Sequence, residues 1–93
     1  MGLALPKHGR EHLTAVGSFI KKRREARQMP VDVLALICGV SRTTMVRMEA
    51  GATPITPKAF AVLQDEICDN EAERAEFKTL VNKQRGAFGV ALL

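Results

Sequence analysis

Ninety-three residues, 46% hydrophobic and only 4% aromatic, suffice for one domain whose core is Leu, Val, Ile, Met and Ala with a few Phe, a mixture that favours packed helices. The formal net charge of +4 is unevenly spread: residues 1–30 carry seven Lys/Arg against two acids, residues 31–58 three against two and residues 59–93 four against six, so one side of the molecule is expected to meet a polyanion. No stretch approaches the roughly 18 apolar residues of a membrane span, the apolar run in MGLALPKHGREH is too short for a secretory signal, and two cysteines without CxxC spacing give neither a disulfide framework nor a zinc site. A reducing, cytoplasmic location is expected.

Residues 1–10 lack periodicity and read as a flexible arm. From about His12 to Gln28, Leu13, Val16 and Ile20 recur at helical spacing with Phe19 alongside, while Lys21, Lys22, Arg23, Arg24 and Arg27 fill the remainder, which predicts an amphipathic helix with a basic face. Pro30 sits where a first helical turn tolerates it, and Val31, Leu34, Ala35 and Cys38 continue the helical spacing to Gly39. A third helix is expected to begin after Ser41, a good N-cap, and to end at Gly51. Thr56 followed by Pro57 repeats the cap-then-proline start, with Phe60, Leu63 and Ile67 forming the apolar stripe of a fourth helix. The segment NEAE, Asn70 to Glu73, has the form of a capping box, and Phe77, Leu80 and Val81 line a fifth helix predicted to end near Gly86. No period-2 strand pattern of useful length occurs. Cys38 and Cys68 fall inside apolar helical patterns, where free cysteines serve as small buried hydrophobes.

The stretch LALICGVSRTTMVRMEAG, Leu34 to Gly51, carries the functional signal. Two helices meet across a tight turn when the first offers a small residue, the turn holds a positive φ, and both bury apolar residues at fixed offsets. Ala35 is the small residue, Gly39 the turn, and Leu34, Val40, Met45 and Met48 the buried set, which together spell a helix-turn-helix. On the second helix, 100° per residue puts Thr44, Met45 and Met48 on one arc and Arg42, Thr43, Val46 and Arg47 on the other. Arginine pairs bidentately with guanine, threonine bonds several acceptors or touches the thymine methyl, and valine packs on that methyl, so the outward arc suits a major groove.

From about Val16 to Ile67 the chain resembles the XRE, or lambda-repressor and Cro-like, helix-turn-helix DNA-binding family: IKKRREARQM is similar to its first helix, VLALICGVSRTTMVRMEAG to its paired helices, and PITPKAFAVLQDEI to its loop and fourth helix. The resemblance implies an all-α, five-helix lambda-repressor-like domain with a central helix-turn-helix. It implies that Arg42, Thr43 and Arg47 read bases, with Val46 beside them, that Ser41 touches phosphate, and that Glu49 near the end of the recognition helix pairs with Arg24 of the first helix. The chain departs from the family where a phosphate-binding glutamine often opens the second helix, here Val31, and where lysine often follows Gly51, here Ala52. Thr44, Thr53, Thr56 and Lys58, the last two at the start of the fourth helix, and Lys21 and Lys22 on the first, complete the expected phosphate contacts.

Domain organisation follows: an arm at 1–10, the DNA-binding domain at 11–68, and a fifth helix and apolar tail at 69–93. The tail AFGVALL has no charge after Arg85 and must dock on its own domain or on a partner; a homodimer contact is the expectation. A palindromic operator bound by the homodimer, without cofactor or metal, is the expected function. His8 and His12 lack further ligands, and no phosphate loop, nucleophile elbow or metal-hydrolase pattern occurs, so catalysis has no visible residues and no enzyme is expected. The rival reading is an antitoxin whose residues 69–93 cap a toxin protein, with DNA binding serving autoregulation; a toxin-like neighbouring gene would favour it.

Overall fold

The chain folds as five helices in the computed structural model, which describes the backbone of residues 7–93 and the side chains of residues 11–93: α1 (Lys7–Ala26), α2 (Val31–Cys38), α3 (Arg42–Glu49), α4 (Pro57–Ile67) and α5 (Glu71–Phe88). No strand occurs among the described residues, and none of the described helices is long and apolar enough to cross a membrane. The apolar stripes converge on one core: Val16 and Ile20 from α1, Leu34, Ala35 and Cys38 from α2, Met45 and Met48 from α3, Ala59, Leu63 and Ile67 from α4, and Phe77 and Val81 from α5. Phe77 sits between Phe19 and Phe60, each ring centroid 5.4 Å from its own, so α5 joins α1 and α4 through one aromatic stack. Residues 69–93 therefore share the core of the segment before them. Burial pushes the Cys38 thiol up to about 11, and Cys68 is raised for the same reason, so both pack as protonated apolar groups.

Helix starts follow their caps. Ser41 Oγ accepts from Thr44 N–H at 3.0 Å, Thr56 Oγ1 from Ala59 N–H at 3.2 Å, and Asn70 Oδ1 from Glu73 N–H at 2.9 Å. The return bond of the expected capping box goes one residue further back: Glu73 Oε1 accepts from Asp69 N–H, at 2.7 Å. Pro30 stands just outside α2 with extended backbone, where its missing N–H costs nothing.

Helix ends differ from expectation at two places. The first helix opens at Lys7, so residues 7–10 of the expected arm are helical, while residues 1–6 lie outside the described chain; no proline interrupts 7–26. α5 runs through Gly86 to Phe88 and stops at Gly89, where a left-handed residue closes a Schellman turn with Val90 N–H bonded to Arg85 O at 3.0 Å. α1 ends the same way with Gln28 at φ 54°, and Met29 N–H reaches Arg24 O at 3.1 Å. The tail turns back onto α5: Arg85 Nε donates to Ala91 O at 2.6 Å and Leu93 N–H to Asn82 Oδ1 at 2.8 Å, leaving Val90 and Leu92 exposed.

Candidate nucleic-acid interface

The turn between α2 and α3 has the geometry its residues dictate. Gly39 sits at φ 70°, Val40 N–H reaches Ala35 O at 3.0 Å, and Gly39 N–H reaches Leu36 O at 3.1 Å. Ala35, Cys38, Met45 and Met48 are buried between the two helices and the rest of the core, with Val40 half-buried at its edge. This fixes the rotation of α3. Arg42, Thr43, Val46 and Arg47 are exposed as a consequence, and Thr44 is half-buried with its hydroxyl accepting from Ser41 Oγ at 2.9 Å.

Two close backbone approaches and an ion pair hold α3 against α1. Gly17 brings the α1 backbone onto the carbonyls of Met48 and Glu49, and Gly51, at φ 76°, brings the end of the α3 turn onto the Leu13 carbonyl. Arg24 then clamps Glu49 with both ends of its guanidinium, Nε to Oε2 at 2.6 Å and Nη2 to Oε1 at 3.0 Å, while Nη1 donates to Met29 O at 2.8 Å. Donating to the Glu49 carboxylate raises the Arg24 guanidinium above its ordinary value, against the opposing effect of burial. Such a planar two-bond pair restricts orientation more than it adds net stability.

The basic run of α1 is largely spent inside the molecule. Arg23 donates to Glu73 Oε1 at 2.8 Å and lies 4.2 Å over the Phe19 ring, and Arg27 donates to Asp69 Oδ1 at 2.5 Å. With Arg24 these three arginines fasten α1 to α3, α5 and the α4–α5 junction, so Arg23 does not offer the flanking contact its place in the run suggests. Lys21 and Lys22 stay exposed; Lys22 lines a groove between α1 and α5 with Phe19, Asp69 and Glu76. Among the described residues, Arg42, Arg47, Lys21, Lys22 and Lys58 form no ion pair. Lys58 Nζ extends over the turn, 3.2 Å from where a Cβ on Gly39 would lie, which brings the first turn of α4 beside the α2–α3 turn.

Ser41 and Thr56 are exposed at the N-termini of α3 and α4. Thr53 is a correction: its hydroxyl is buried without a partner and faces no solvent where a phosphate could approach, because the loop after Gly51 turns inward to seat Ile55 in the core. That inward turn rests on two residues absent from the sequence-based set. Gln84, fully buried, accepts from Ile55 N–H at 2.9 Å and donates to Thr53 O at 3.3 Å; Arg85 donates Nη1 to Ile55 O at 2.7 Å. Their signal was available: both continue the Phe77–Val81 stripe, where a polar residue must find buried partners. No family model matches the chain, and no match emerges among curated proteins or among solved structures.

Proposed function

We propose that this protein is a sequence-specific double-stranded DNA-binding regulator of transcription, a repressor that occupies a palindromic operator as a homodimer through the major groove. One observation carries the reading: α3 turns Arg42, Thr43, Val46 and Arg47 outward, with both arginines free of ion pairs among the described residues, while Arg23, Arg24 and Arg27 of α1 are all engaged. A free guanidinium can take guanine O6 and N7 together, and the Thr43 and Val46 methyls suit the thymine methyl. Ser41 and Thr44 stand at the start of α3, Thr56 and Lys58 at the start of α4 with Lys58 over the α2–α3 turn, and Lys21 and Lys22 are exposed on α1, groups suited to the phosphate backbone.

The homodimer follows from size. An eight-residue helix is about 12 Å long and spans about four base pairs, too few to mark one site among many. Two copies on half-sites one helical turn apart, roughly 34 Å, double the read length. The exposed Val90 and Leu92 of the docked tail supply apolar surface for the second copy. The same two side chains are what favours a toxin-like protein partner as the second reading.

Binding-site selection from random duplex DNA at stated salt tests the proposal. An enriched inverted repeat is the expected result, and a pool that stays random at low salt defeats it.

A further inference from the structure

The peptide of Ile55 is gripped from both sides by consecutive residues of α5. Its N–H donates to Gln84 Oε1 at 2.9 Å and its carbonyl accepts from Arg85 Nη1 at 2.7 Å, while Gln84 Nε2 also reaches Thr53 O at 3.3 Å and Leu13 O at 3.5 Å. Ile55 lies in the loop between Gly51, where α3 closes, and Thr56, which caps α4, and immediately precedes that cap. The α5 pair therefore determines where the first turn of α4, with Thr56 and Lys58, stands relative to the α2–α3 turn. Arg85 has a second attachment: its Nε donates to Ala91 O at 2.6 Å, and the Asn82 side chain holds the last residue through Leu93 N–H. A buried guanidinium whose donors are divided between the loop and the tail cannot keep one geometry if the other partner leaves.

We infer that Gln84 and Arg85 are positioning residues for the DNA interface, and that the docked tail, through Arg85, holds the phosphate-contacting turn of α4 in place beside the turn that leads into the base-reading helix. The inference rests on the DNA-binding reading. The interface has two halves held separately: α3 is fastened to α1 by Gly17 and the Arg24–Glu49 pair, whereas the α4 turn is fastened to α5 and the tail. Disturbing the tail should loosen the second half and leave the first intact. Affinity then falls through phosphate contacts, with base preference unchanged.

Three variants, Arg85→Ala, Arg85→Lys and the milder Asn82→Ala, keep the test readable if the first fails to fold. Amide hydrogen exchange is measured at Ile55 against core amides such as Met45, and duplex binding is measured across salt on the selected site. The expected result is about tenfold faster exchange at Ile55 in Arg85→Ala with Met45 unchanged, weaker binding, the same selected sequence, and a salt slope lower by about one. Arg85→Lys, able to reach one of the two carbonyls, and Asn82→Ala should fall between wild type and Arg85→Ala. Exchange at Ile55 that stays at the wild-type rate in all three overturns the coupling, as does a shift in selected sequence. If the wild-type protein selects no duplex, the DNA reading itself fails, while the exchange measurement still decides whether tail and loop are linked.

Discussion

Gly17 lies so close to the Glu49 carbonyl that a methyl group at that position would overlap the oxygen and come within 2.6 Å of the carbonyl carbon. The obstruction is backbone, so no side chain can swing aside. Alanine normally stabilises a helix interior by about 1 kcal/mol over glycine, but overpacking against a fixed backbone costs about 1–3 kcal/mol and shifts α1 off α3. Gly17→Ala should therefore lower stability in urea. Gly86→Ala, whose added carbon meets only Leu92 Cδ2 at 3.9 Å, should raise it by about 0.5–1 kcal/mol. Equal effects of the two substitutions would contradict the α1–α3 contact.

Arg24 and Glu49 are each about nine-tenths removed from solvent, with side-chain exposures of 11% and 8%. Glu49→Ala leaves a guanidinium with only the Met29 carbonyl, and should cost about 3–5 kcal/mol. Replacing both, Arg24→Met with Glu49→Leu, should recover most of that loss while blurring the placement of α3. Urea melts of the two single variants and the double variant measure the coupling; additive losses would mean the pair does not act as a unit.

Acid should weaken the α1–α5 seam through Glu73. The Asp69 N–H bond, followed by attraction to Arg23 and Arg27, holds its carboxyl below the ordinary 4.5 despite some desolvation. A carboxyl lowered in the folded state favours folding above its ordinary value, and that contribution disappears as pH falls through the lowered one. Glu73→Gln keeps an acceptor but cannot titrate. Its thermal midpoint should drop less than that of wild type between pH 7 and pH 3, and parallel curves would assign the acid sensitivity elsewhere.

Base readers and backbone contacts should separate in binding assays. Arg42→Ala or Arg47→Ala should cost about 1–3 kcal/mol on the selected site and relax preference at particular base pairs. Lys21→Ala or Lys58→Ala should weaken all duplexes alike and lower the salt slope by about one. Identical behaviour of arginine and lysine variants would undo this division of roles.

Local signals made the helices legible before any coordinates. Ser41, Thr56 and Asn70 act on amides three residues away, and Gly39 and Gly51 take conformations a side chain resists, so turn and caps are written where they act. The outward arc of α3 follows from 100° per residue once Met45 and Met48 are inside. α5 runs two residues beyond the end expected near Gly86 because a glycine weakens a helix without having to stop it, and only the left-handed Gly89 shows which one does.

Composition and periodicity by themselves determined an all-helical chain with a helix-turn-helix spacing. Which arginines stay available was decided only by tertiary structure, since Arg23 and Arg27 look as free as Arg42 and Arg47 in a linear reading and meet their acids across separations of 50 and 42 residues, and the Arg24–Glu49 pair is implied by the family resemblance alone. The same holds for Thr53, turned inward, and for Gln84 and Arg85, joined to a loop about 30 residues earlier. Neighbouring residues set dihedral preferences and amphipathic faces; a charge or a buried amide finds its partner only when distant helices have packed.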